Sequence, residues 1–427
     1  MQHQTPHSAT SQDVIPASFP NWMRSNRVGF LAAGFAIAAW APIIPYIKAR
    51  FGLDEHGLGL LLLCVGSGSL FSSPLAGFLT ARLGCKIPIF AAATLWALCL
   101  VLISVLESLP LLIVVLVLFG LAAVILEVVS NINGAMIEQV TGRTIMSGLH
   151  ARYSLGGLIG SFGVTSLLGA NLAVPTAAGI SAAFLVVMVL WRGRSLFNQQ
   201  ELHPEQYQAP STNASACAAV NADARGSANT AAAAPAPDQA FSRRYVLHPT
   251  VLMISFMLFV LYLTEGAMLD WSSVFLVDER AMPLEQAGYG YAAFAIMMTS
   301  FRFIGDRIVL LMGRRRVIVL GTMLICLGFI LAALIDHAYC TIASFALIGI
   351  GSSNVIPQLV SYVAKVKEVP MSISVTVVNS LGFTGVLLGP AIIGFLAHLI
   401  TLHLTFIVLG VFILSVTALS LRYLRQN

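Results

Sequence analysis

The sequence predicts an all-α membrane protein: twelve transmembrane helices in two pseudo-symmetric bundles of six. Three observations lead there. The chain is 58% hydrophobic and 10% charged over 427 residues, where a soluble domain carries about a quarter charged residues. Its mean hydropathy of +0.87 belongs to a chain whose apolar surface faces lipid rather than water. Next, twelve apolar runs are each long enough to cross ~30 Å of hydrocarbon as a helix. They are continuous rather than alternating, which argues against barrel strands. Finally, the basic residues alternate sides. With the amino terminus in the cytoplasm, 19 of the 23 Lys and Arg fall in cytoplasmic segments. Lys48, Arg50 and Arg280 fall outside, and Arg302 lies within a span. This is the positive-inside pattern.

The runs are 28–47, 58–81, 87–106, 109–136, 147–170 and 172–191, then 249–276, 286–311, 316–336, 339–363, 372–397 and 400–421. Residues 1–27 form a polar cytoplasmic tail without the apolar core of a cleavable signal peptide, so the first span is expected to target the chain. Residues 28–191 make the first bundle and 249–421 the second, with a cytoplasmic tail at 422–427. Between the bundles, 192–248 holds Ala- and Pro-containing tracts such as Ala231–Pro237 and almost no large apolar residues. Such a segment cannot build a core and is expected to be a disordered cytoplasmic linker. Most of Glu205–Gln239 should then be removable without loss of folding.

The halves carry parallel features. Gly77-Phe78-Leu79-Thr80-Ala81-Arg82-Leu83-Gly84-Cys85-Lys86 follows the second span. Gly305-Asp306-Arg307, ending in Gly313-Arg314-Arg315-Arg316, follows the eighth. The fifth span carries Gly156, Gly157, Gly160 and Gly163, and the eleventh Gly382, Gly385, Gly389 and Gly394. A repeated six-helix unit is how two-halved secondary transporters are built.

Several classes are excluded. There is no G-x4-G-K-[ST] nucleotide loop, no nucleophile elbow and no paired metal ligands, so an enzyme and a cofactor are not expected. The six Cys form no CxxC, which argues against a disulfide or metal site. The net charge of +5 sits in loops facing anionic lipid and does not imply nucleic acid.

These stretches resemble the major facilitator superfamily over all twelve spans. Gly77–Lys86 is similar to the family's G-x-L-x-D-R-x-G-R-K/R loop, with Ala81 in place of the Asp and Cys85 in place of an Arg. Gly77, Arg82, Gly84 and Lys86, with Arg302, Asp306, Arg307, Gly313 and Arg314 in the second half, are the gate and loop-signature candidates. Asp306 lies seven residues before Gly313 rather than three, a further departure from the pattern. Glu127–Gly134, Met146–His150, Ser154–Gly157, Glu265–Ser272 and Gly389-Pro390 are similar to the bacterial YbjJ-like branch, itself similar to fucose-type sugar permeases. In such relatives a carboxylate four residues before an Asn in the fourth span handles the proton, and Glu127 with Asn131 matches that spacing. Their first-span Asp is absent, since Ala41 stands four before Pro45.

Chemistry read from the residues converges on the same spans. An ionised carboxylate inside a span costs several kcal/mol unless paired, so Glu127 is expected to face the bundle interior. Desolvation would bring its proton exchange near neutral pH, with Asn131 at i+4 bonding it; the alternative is a structural anchor between helices. Glu265 and Asp270 are five apart and point ~140° apart on a straight helix, so both face one ligand only if Gly266 breaks the helix. Arg302 reads as snorkelling, as a gate pair with Asp306, or as an anion contact. His150 reads as a pH sensor or a solvated loop-end group. Trp40, Asn131, Asn133, Tyr153, Asp270, Asn354, Gln358 and Asn379 are candidate cavity residues, against interhelical hydrogen bonding.

The expectation is a monomeric secondary active transporter working by alternating access in the bacterial inner membrane, with both termini cytoplasmic. It would move a small organic solute coupled to protons through Glu127 and Glu265. A proton-antiport exporter of drug-like or siderophore-like metabolites is the alternative. A sensor with a transporter fold is the rival class, and a passive facilitator would need no membrane-embedded acid.

Overall fold

The computed structural model describes residues 19–141, 145–196, 247–363, 369 and 371–424. Most of the expected linker lies outside the described residues. Within them every regular element is helical. The first half holds α1 (Phe19–Ala38), α2 (Ile44–Phe51), α3 (Glu55–Leu83), α4 (Lys86–Val105), α5 (Leu109–Thr141), α6 (Met146–Gly169) and α7 (Val174–Arg192). The second holds α8 (Pro249–Asp278), α9 (Tyr289–Phe303), α10 (Gly305–Met312), α11 (Arg314–Leu334), α12 (Ala338–Ser352), α13 (Val355–Val363), α14 (Met371–Ile400) and α15 (Leu402–Tyr423).

Three spans are broken where single helices were expected. Between α1 and α2 the chain turns at Ala39–Trp40 and passes through a short 3-10 segment, Ala41–Ile43. Pro42 and Pro45 have no N–H to continue the ladder there. The eighth span divides into α9 and α10 at Ile304, and the tenth into α12 and α13 at Ser353–Asn354. Helix α1 starts at Phe19, inside the expected polar tail 1–27. Trp22 and Met23 bury against Ile137 of α5 in a small apolar cluster that holds it. By contrast α8 runs unbroken through Gly266.

Among the described residues, ten spans are long and apolar enough to cross a bilayer by length and composition. The fifth (α6) and eighth (α9–α10) are the two that fall short, because polar residues interrupt their apolar runs. These two helices pack on each other across the boundary between the halves.

Packing repeats from half to half. Spans one and five pair as α1 on α6, and spans seven and eleven as α8 on α14. Spans two and four pair as α3 on α5, and eight and ten as α9 on α12; three and six pair as α4 on α7, and nine and twelve as α11 on α15. The halves meet at α6 with α9 and at α3 with α14. Close approach explains the glycines: a Cβ on Gly156 would lie 2.0 Å from the Leu31 carbonyl oxygen, and one on Gly385 would lie 2.3 Å from that of Phe259. Small residues let helix backbones approach in this way where lipid supplies no hydrophobic drive.

The same symmetry extends to the ends. Gly84 and Gly313, closing the second and eighth spans, both take positive φ, 71° and 79°, which favours glycine. Arg50, just past the first span, donates to the carbonyls of Ile103, Ser104 and Leu106 at the end of α4. Arg280, just past the seventh, donates to those of Ala332 and Ala333 at the end of α11. A cation satisfying the last carbonyls of a helix is favourable, so these two exceptions to the charge pattern are structural caps. The Gly77–Lys86 stretch is mostly the last turns of α3 rather than a loop. Arg82 lies there over the Phe78 ring, 4.3 Å from its centroid, and Lys86 opens α4.

Candidate functional site: a cavity between the halves

A cavity of about 310 Å³ lies between the halves, at the small end of ligand sites (roughly 300–1,000 Å³). Its walls come from α6 (Gly148 to Gly157), α8 (Glu265, Gly266, Leu269), α9 (Tyr291 to Phe303) and the junction of α12 with α13 (Asn354, Pro357, Gln358). It reaches the exposed Gly148 and Phe303. That is the end of the bundle where Arg307 and Arg314–Arg316 cluster, called here the basic end.

The second half supplies the charged centre. Glu265 Oε1 lies 3.9 Å from Arg302 Nη2, with the side chains 18% and 28% exposed. That distance is an ion pair but too long for a hydrogen bond. Arg302 is held from behind, where its Nε donates to the Ser353 carbonyl at 3.1 Å. In return the Asn354 side-chain amide donates to the Phe301 carbonyl at 3.0 Å. Both acceptors lie at helix ends, whose carbonyls lack intrahelical donors. The breaks in the eighth and tenth spans therefore complete each other. Gly305 makes room for this clamp, since a Cβ there would sit 1.9 Å from Asn354 Oδ1.

The first half keeps its carboxylate one step back. Glu127 is 5% exposed and does not line the cavity; Tyr153 does. The Tyr153 hydroxyl donates to Glu127 Oε2 at 3.3 Å. Asn131 does not bond that carboxylate as expected. Its amide donates to the Glu127 backbone carbonyl at 3.1 Å, a back-bond of the kind short polar side chains make in helices. His150 lines the cavity with its ring against Phe30, centroids 5.2 Å apart, rather than standing as a solvated loop group.

Of the expected cavity residues, Tyr153, Asn354 and Gln358 line it, as do Glu265 and Arg302. Trp40 is buried at the break of the first span, 5.7 Å from Phe119 between ring centroids. Asn131, Asn133 and Asp270 are buried away from the cavity. Because α8 is unbroken, Asp270 points away from the face that Glu265 presents. The side chains of Asp306 and Asn379 lie outside the described residues, and Arg307 is exposed on α10.

The opposite end is closed by groups the sequence reading left unassigned. Lys48 bridges Glu55, 3.0 Å away, and Asp278 across the halves. His398 of α14 meets Asp54, 3.1 Å away, also across the halves. Part of the signal was present: Lys48 was an exception to the basic pattern with Glu55 seven residues on, whereas nothing in the sequence pointed to Asp278.

Two helical bundles sharing one packing plan, with a small polar cavity at their boundary, define a membrane transporter. The sequence profile of the Major Facilitator Superfamily matches residues 28–370 and 283–427, and this chain belongs to that family. It is 37% identical to an uncharacterised MFS-type transporter of Yersinia pestis, covering 92% of this chain and 94% of the relative. It is 27% identical to the membrane protein MosC of Rhizobium meliloti, covering 87% and 83%. Among solved structures, a mutant form of the nucleoside transporter NupG superposes with a TM-score of 0.72 at 12% identity, covering 95% of this chain and all of that one. The human organic anion transporter MFSD10 superposes at 0.61 and 16% identity, with 95% and 100% covered. At such identities the likeness is one of fold. The chain is a transporter and not an enzyme.

Proposed function

We propose that this chain moves a small organic solute across the bacterial inner membrane by alternating access, coupled to protons. One observation carries the reading: a cavity at the boundary of the halves holds a titratable carboxylate at mid-depth, open at one end and sealed by inter-half ion pairs at the other. The basic end is cytoplasmic by the positive-inside rule, which places both termini there and makes this the inward-open state. A facilitator would not need Glu265 in the cavity and Glu127 behind Tyr153, where each costs free energy to keep. Proton coupling is assigned to these two carboxylates, and Tyr153, Asn354 and Gln358 to the solute site. The resemblance to YbjJ-like proteins and fucose-type permeases favours uptake, with export of drug-like metabolites as the alternative direction.

The test is the purified protein in liposomes containing a pH-sensitive dye. A cellular metabolite extract, then its fractions, is added outside under a proton gradient. Solute-dependent proton entry that Glu265→Gln abolishes is expected. Solute equilibration without proton movement would make the protein a facilitator.

A further inference from the structure

We propose that the transported solute carries a carboxylate, that Arg302 receives it, and that Glu265 occupies the same guanidinium while the site is empty. This rests on the transporter reading above and names its substrate class.

The argument begins with Arg302's donors. A guanidinium offers five N–H groups in a planar fork matched to a carboxylate. Among the described residues only Nε makes a protein hydrogen bond, to Ser353. That bond fixes the plane of the group and leaves the fork facing the cavity and Glu265. At 3.9 Å Glu265 neutralises the fork without saturating it. A second carboxylate can take bidentate bonds there only if Glu265 first gives up its charge, because two carboxylates on one cation repel. Protonating Glu265 and binding one organic carboxylate leaves the cavity charge unchanged. One proton and one acid anion would thus enter together and leave together. Glu265 is the built-in copy of the ligand's acidic group.

The surroundings agree in sign. The titratable and charged groups on the cavity walls are Glu265 on α8, Arg302 and Tyr291 on α9, and His150, Arg152 and Tyr153 on α6. Glu127 stands behind Tyr153. The other wall helices present Asn354, Pro357, Gln358 and Val386, none of them charged. Arg152 and Arg302 face one carboxylate, so a proton taken up by Glu265 with a neutral solute would add to an existing excess of positive charge, whereas an acid anion offsets it. Arg152 is tied to the Gly148 carbonyl, so the one fork of Arg302 and about 310 Å³ suit a small monoacid whose remainder lies against Tyr291 and Phe294.

The experiment measures binding to the purified full-length protein at mildly acidic and mildly alkaline pH. Matched probes are used: gluconate against glucose, benzoate against benzyl alcohol, mandelate against phenylethanediol, and glucose 6-phosphate. The wild type is expected to bind at least one acid and not its neutral partner, more tightly at acidic pH. Glu265→Gln should bind that acid at alkaline pH as tightly as at acidic pH. Arg302→Gln should weaken it about tenfold or more, the loss of a hydrogen bond to a charged group. Arg302→Lys, which keeps the charge without the fork, should fall between. If Arg302→Gln fails to fold, the gain at alkaline pH in Glu265→Gln still decides, since misfolding does not create affinity. Equal binding of neutral partners, binding of the phosphate alone, unchanged pH dependence in Glu265→Gln, or a panel in which no acid binds overturns the proposal. A neutral solute carried with protons in liposomes would sink this inference and leave the transporter reading intact. An acid that binds at Arg302 but is never moved would do the reverse.

Discussion

In the first half, Glu127 is sealed behind the Tyr153 hydroxyl, on helices α5 and α6 that run without a break. In the second, Glu265 faces the cavity beside Arg302, and two of the surrounding spans are broken and clamped to each other. Yet the two halves pack by the same pairs of helices. The common scaffold thus keeps α5 and α6 continuous around Glu127 and breaks two spans around Glu265, while the first half's own break lies in its first span, at Ala39–Ile43. Carbonyls freed by a helix break are the groups that can hold an arginine's plane. Glu127 and Glu265 both sit on unbroken helices; the difference lies in the spans packed against them, which around Glu265 are broken and hold Arg302 in place.

The shared scaffold is the part to break first. Gly156→Leu in the first half and Gly385→Leu in the second should each abolish recovery of monodisperse protein, because the added carbons meet carbonyl oxygens at 2.0 and 2.3 Å. Backbone cannot yield as a flexible side chain can, and overpacking of this kind lies in the large-effect tail. Gly163→Ala is the control: nothing lies within 4 Å of its Cβ, and alanine favours helix over glycine by roughly 0.5–1 kcal/mol. If only one half failed on substitution, the packing plan would not be shared in energy as it is in geometry.

The carboxylates come next. Glu127→Gln keeps the shape and the hydrogen bond from Tyr153 but cannot titrate. Binding and exchange of solute should survive, while accumulation against a gradient is lost and the pH dependence of transport flattens. Glu265→Gln should also alter binding, since it stands beside the fork of Arg302. Accumulation with unchanged pH dependence in Glu127→Gln would move the coupling to Glu265 alone.

A smaller effect is expected at the clamp. Gly305→Ala drives its methyl group onto Asn354 Oδ1 and should slow transport several-fold without unfolding the protein. Adding Asn354→Ala removes the obstructing amide and should restore part of the rate. Such coupled pairs are strongly non-additive. Strict additivity would show that the two breaks do not act as one unit.

Much of this was legible in the sequence, and the illegible parts have physical reasons. Span number, the halves and the glycine contacts follow from hydropathy and spacing. Those are one-dimensional properties of lipid exposure and close packing. Tyr153, Glu265, Asn354 and Gln358 could be placed in spans because a polar group in hydrocarbon stands out. What hydropathy cannot distinguish is an acid facing the cavity from one a layer behind it: Glu127 and Glu265 look alike on that measure. Nor could it show the break at Ile304, which carries no proline; the break at Ser353–Asn354 does have one, since Pro357 has no N–H for the Ser353 carbonyl four residues back, and that freed carbonyl is the one Arg302 takes. Long-range ion pairs were equally hidden, Lys48 meeting Asp278 across 230 positions.

Those ion pairs give the smallest effects and sharpen the comparison at its outer edge, where each half contributes one partner. Spin labels on cysteines introduced at Glu107, between α4 and α5, and at Tyr339, in the first turn of α12, both exposed, in a background without the native cysteines, would report the separation of the halves at the closed end. Lys48→Ala removes a cation shared by Glu55 and Asp278 and should shift the population visibly towards opening there. His398→Gln should do less. Its pair with Asp54 is about half exposed on both sides, 53% and 51%, and exposed pairs are worth roughly 0.2–1 kcal/mol, less than about a fivefold change in the ratio of states. Label distances unchanged in His398→Gln would remove the His398 pair from the account of closure and leave the bridge from Lys48 to Asp278 as the bond that joins the two halves.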